Sequence, residues 1–80
     1  MGALEEAYVV ILGKSAPDNI SRTELAELAV EGLAPTFHST DLIRACRDEI
    51  TSDDTLPGQT RDWADHELGK LLTEELKKGV

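Results

Sequence analysis

Eighty residues carrying 16 Asp+Glu against 8 Lys+Arg give a net charge of −8, and 40% of the chain is hydrophobic. That length fits one domain, residues 1–80, and the apolar content is too high for a disordered acidic tail. The charge argues against a nucleic-acid-binding surface, which needs clustered cations, and equally disfavours an anionic membrane.

The first predicted helix runs from Leu4 to Leu12 and is stopped by Gly13. Leu4, Tyr8, Ile11 and Leu12 recur at helical spacing, and Glu5 and Glu6 suit a helix N-terminus. Tyr8-Val9-Val10-Ile11 is also rich in strand formers, but no other segment alternates with period two, so a strand here has no partner. Glu5 and Glu6 stand where a signal peptide carries positive charge, and the apolar run Ala7 to Leu12 is too short to span a bilayer. This segment is therefore expected to belong to the fold.

Lys14 to Ile20, with Pro17, Asp18 and Asn19, reads as a loop. Ser21-Arg22-Thr23-Glu24 is a capping box: the Ser21 hydroxyl accepts from the Glu24 amide and Glu24 reaches back. Ile20 and Leu25 complete it as a hydrophobic staple. The helix that follows carries Leu25, Leu28, Ala29 and Leu33 on one face, with Gly32 and Pro35 predicted to end it.

Thr36 and Phe37 form a short connection to a third helix, capped by Ser39 or Thr40, with Asp41 in its first turn. Leu42, Ile43, Cys46 and Ile50 point inward. Thr51 to Gln59 is the most breaker-rich stretch and reads as a loop pinned by Leu56. Thr60 is predicted to cap a last helix to about Lys78, with Ala64, Leu68, Leu71, Leu72 and Leu76 as its stripe and Trp63 at the near end. Arg61–Asp65 and Glu74–Lys78 are its i,i+4 pairs. The expected architecture is an all-α, single-domain bundle of about four helices, with the second and third forming a helix-turn-helix-like middle pair. Eleven Leu, four Ile and four Val supply a core worth about 3–5 kcal/mol, a small margin.

Residues 18–54 hold nine acids against Arg22, Arg44 and Arg47, so six of the eight net negative charges lie there. Glu24, Glu27 and Glu31 fall along one side of the second helix, with Asp41, Asp48, Glu49, Asp53 and Asp54 in and after the third. Such a face is either the wet side of an amphipathic helix or a docking surface for a basic partner, which would raise association rates in a salt-sensitive way.

"SRTELAELA" resembles the first helix of helix-turn-helix motifs, and that resemblance implies a DNA-binding regulatory domain read through Arg44 and Arg47. The recognition-helix candidate also holds Asp41, Asp48 and Glu49, where a DNA reader needs net cations. An acyl carrier protein is similar in length, acidity and helical class. Its Asp-Ser-Leu prosthetic-group triplet is absent from the nearest segment, His38-Ser39-Thr40-Asp41-Leu42, so no cofactor is expected.

Asp62, Asp65 and His66 share a helix face and could begin a divalent metal site, but they equally suit the first turn of a helix, and no fourth ligand completes a set. Cys46 is expected to be a buried small hydrophobe. One cysteine forms no internal disulfide, in keeping with a reducing, cytoplasmic setting. His38 reads as a turn residue. Trp63 either packs in the core or, half exposed, anchors an interface. With no nucleophile elbow and no phosphate loop, the chain reads as a non-enzymatic interaction protein. The expected partner is a protein with a basic surface, such as a nucleic-acid-binding groove, where carboxylates would occupy phosphate positions. Small acidic phage-encoded inhibitors, anti-CRISPR proteins among them, are similar in size and charge. A structural or self-associating module, using Trp63, Val9 and Val10, is the further alternative, and the chain is expected to be a monomer or a small homo-oligomer.

Overall fold

The computed structural model describes residues 2–33 and 40–78, with the side chains of residues 76 and 78 left out. Four helices run in chain order: α1, Ala3–Leu12; α2, Arg22–Leu33; α3, Thr40–Thr51; α4, Gly58–Lys78. No strand occurs among the described residues. Expectations placed on Pro35, Thr36, Phe37, His38 and Ser39, and on the side chains of Leu76 and Lys78, lie outside the described residues.

Four of the helix boundaries have a local cause. Gly13 ends α1 in the left-handed region, φ 72°, where its N–H donates to Val9 O at 2.7 Å. At the start of α2, Ser21 Oγ accepts from the Glu24 N–H at 3.1 Å. The return bond of the box, from the Ser21 N–H to the Glu24 carboxylate, is not formed among the described residues. After α3, Ser52 Oγ donates to Asp48 O at 2.6 Å, and Asp53 Oδ1 accepts from the Thr55 N–H at 3.0 Å and from its hydroxyl. That turn reverses the chain and leaves Leu56 only 3% exposed, the expected pin. α4 begins two residues before the predicted cap: Arg61 N–H donates to Pro57 O, so Thr60 lies inside the first turn. Proline favours that early start, because its fixed φ and missing N–H suit a helix entrance.

The helices contact one another in the cyclic order α1, α2, α4, α3. α3 packs most extensively on α4, and α1 on α2; α2 and α3 lie across the diagonal with the slightest contact. The consecutive middle pair is thus positioned by α1 and α4 more than by its own interface. Leu4, Leu33, Ile43, Cys46, Ile50 and Leu68 are the largest fully buried side chains, one or more from every helix. Two expectations are corrected, one about facing and one about a helix end. Leu12 is 45% exposed, and Ala7 takes its place on the buried side of α1. The inward stripe of α1 therefore runs through Leu4, Ala7, Tyr8 and Ile11, the i, i+3, i+4, i+7 spacing of one helix face. Gly32 lies within α2 instead of ending it. A Cβ there would stand 2.9 Å from Ile11 Cγ1 and Cγ2, so the missing side chain is what lets α1 close on α2.

Candidate functional site

The eight acids singled out by the sequence fall into separate surroundings. Glu49 and Asp53 are engaged within the fold. Arg22, the first residue of α2, donates to Glu49 Oε2 at 3.2 Å and to Asp53 Oδ2 from both Nη2, 3.0 Å, and Nε, 3.1 Å. The other Glu49 oxygen accepts from the Ala3 N–H at 2.8 Å, which satisfies one of the free donors at the start of α1. One arginine and two carboxylates thereby join the α1 and α2 N-termini to the end of α3. The Thr55 hydroxyl and N–H, followed by the Arg22 guanidinium, hold the Asp53 carboxyl below its ordinary value.

Asp41 and Asp48 are exposed on α3, across the diagonal from α2. Asp54 is almost wholly exposed and 3.8 Å from Arg61 Nη1. The predicted Arg61–Asp65 pair is not formed, because Asp65 faces α3 and accepts from Arg47 Nε at 2.7 Å. A cross-helix partner was nearer than the one a turn away. The Asp62, Asp65 and His66 face gathers no further ligand, and no group of three metal-ligating side chains converges among the described residues.

Glu24, Glu27 and Glu31 are exposed along α2, and none forms an ion pair among the described residues. Glu27 and Glu31 face α4 across a groove made of two adjoining depressions, of about 320 and 270 Å³. Glu31 and Trp63 line both; Val30 and Leu71 add apolar wall to the larger one. Trp63 is half-buried: it packs against the core and also lines the groove. Glu67, Lys70 and Glu74 complete the α4 wall. Lys70 Nζ lies 3.1 Å from Glu67 Oε2, so that acid is compensated locally, while Glu74 is not paired among the described residues.

The contribution of α4 to this groove was missed by sequence reasoning. Its signal was present: residues 63, 67, 70 and 74 follow the four-three-four spacing of a single helix face. What the sequence did not contain was the adjacency of α2 and α4, which makes that face the opposite wall to Glu27 and Glu31.

Cys46 is fully buried, with Sγ 3.4 Å from Ala3 O, and burial followed by the nearby charges of Glu49 and Glu6 pushes its thiol up to about 12. It behaves as a packed hydrophobe, as expected. Val9, Val10 and Leu12 form the exposed apolar part of α1. No helix among the described residues is long and apolar enough to cross a membrane. Comparison with protein-family models, curated proteins and solved structures finds no match to this chain.

Proposed function

We propose that this protein is a non-enzymatic docking module that binds a partner protein through the acidic α2 face and the α2–α4 groove. The observation that carries this reading is a groove whose exposed carboxylates have no ion-pair partner among the described residues: Glu27 and Glu31 on the α2 wall near the half-buried indole of Trp63, and Glu74 further along the α4 wall. Carboxylates without internal partners retain their full attraction for an external cation, and an aromatic set in an apolar depression is a common energetic anchor of an interface. The matching partner is a protein with a basic surface. Where that surface is a nucleic-acid-binding groove, carboxylates standing at phosphate positions would block it, the mode of action of the phage-encoded anti-CRISPR-like inhibitors that the chain resembles in size and charge. A reducing compartment such as the cytoplasm suits its single sealed thiol.

The alternative of a helix-turn-helix DNA reader has less support. Arg22, Arg47 and Arg61 all face carboxylates of their own chain, and among the described residues Arg44 is the one arginine without an ion pair. Duplex binding needs several free cations on one face.

The docking reading is tested by reversing Glu24, Glu27 and Glu31 together to Lys. Basic proteins retained by the wild type at low salt are purified and measured individually. Binding should weaken as salt rises, be competed by duplex DNA, and be lost in the triple variant. Unchanged affinity in that variant sinks the proposal.

A further inference from the structure

The groove between α2 and α4 has a chemistry narrower than negative charge. Its walls come from two helices: Glu27 and Glu31 stand on the α2 side near Trp63, and Glu74 stands on α4 about 16 Å further along, so the groove offers carboxylates along its length to successive cations of one segment. Among the carboxylates lie Trp63 and the apolar side chains of Val30 and Leu71. We infer that the groove takes an arginine-bearing segment of a basic partner protein, with one guanidinium against Trp63 and the aliphatic stem along Val30 and Leu71. This rests on the docking reading and names the chemistry of its occupant.

Charge complementarity selects a basic occupant over a nucleic acid or a lipid headgroup, both of which these carboxylates repel. The indole selects arginine over lysine. A guanidinium is planar and weakly hydrated, stacks on an aromatic, and directs several N–H donors outward in a fork that suits the α2 carboxylates beside the ring. A lysine ammonium is compact and strongly hydrated, and it gains less by leaving water to sit against a ring. Lys70, already paired with Glu67, occupies one edge of the α4 wall; Glu31 is left to the guanidinium at Trp63, and Glu74 to a second cation further along the segment.

Trp63 is the single tryptophan of the chain, so its emission reports on the groove directly. The full chain is titrated at low ionic strength with acetylated hexa-arginine and with acetylated hexa-lysine. Trp63 emission and calorimetric affinity are recorded together. The expected result is a saturable emission change with hexa-arginine and an affinity about fivefold above that of hexa-lysine. Trp63→Leu should bring the two affinities together while keeping salt-dependent binding of both. Trp63→Phe, which retains a ring and fills more of the site should the leucine variant fail to fold, should give an intermediate preference. Equal affinities on the wild type, or binding without any change in emission, overturn the inference. If the emission is silent but the α2 charge reversal still abolishes binding, docking stands and the arginine groove falls. If charge reversal changes nothing, both fall.

Discussion

Two acidic regions of this small protein have opposite fates. Around Arg22, the carboxylates of Glu49 and Asp53 are consumed by the fold: they meet a guanidinium, a helix-terminal N–H and a turn hydroxyl. Along the α2–α4 groove, Glu27, Glu31 and Glu74 meet no partner of their own chain among the described residues. A net charge of −8 is therefore a poor guide to where a partner would be attracted. Acids that the fold has neutralised contribute to stability, and the unpaired ones are left to act on other molecules. Removing the first kind should weaken the protein without touching recognition, and removing the second kind should do the reverse.

The largest effect is expected at Glu49, whose side chain is only 22% exposed. Glu49→Ala removes an ionised acceptor from both the Ala3 N–H and Arg22, at a cost of about 2 kcal/mol. In a domain of this size that is a large share of the total stability, and denaturant melts would show it as an earlier midpoint. A loss under 0.5 kcal/mol, the range of ordinary surface changes, would erase the distinction between the two regions.

Acid should reach the same Arg22 network from another direction. The Asp53 carboxyl is held below its ordinary value, so it is charged in the folded chain at a pH where the unfolded chain already binds a proton. Its contribution is present above the ordinary value of 3.8 and is lost as pH falls below it. Stability followed from pH 6 to pH 2 should fall less steeply in Asp53→Asn than in the wild type. Parallel curves would show that Asp53 is not held by its neighbours.

The smallest stability effect belongs to the groove. Glu27→Gln, Glu31→Gln and Glu74→Gln combined should leave the melting midpoint within about 0.5 kcal/mol of the wild type, with a slight gain at low salt as like charges are removed. A clear destabilisation would mean that these acids, too, are used by the fold.

Much of this organisation was legible in the sequence. The cap at Ser21, the stop at Gly13 and the buried positions of Ile43, Cys46, Ile50, Ala64 and Leu68 follow from local chemistry and helical spacing. Features that depend on which helices become neighbours were not legible. Arg47 pairs with Asp65 on the adjacent helix, while Arg61, expected to reach Asp65 one turn on, lies beside Asp54. Gly32 looked like a terminator because glycine weakens helices, yet its use is the contact with Ile11. The groove has the same origin: each wall was written as a helical stripe, and only the packing of α2 beside α4 made them face one another.

The bond from the Ala3 N–H to Glu49 spans 46 positions in the chain, and those from Arg22 span 27 and 31. Closing such distances has an entropic cost, and the contacts repay it only after the helices that carry them have formed and met. This network is therefore expected to close late in assembly, beyond the folding barrier, which folding and unfolding rates of Glu49→Ala would test. Its contribution then falls on the rate of coming apart: with it in place the native state lasts longer, while the time needed to reach that state is little altered.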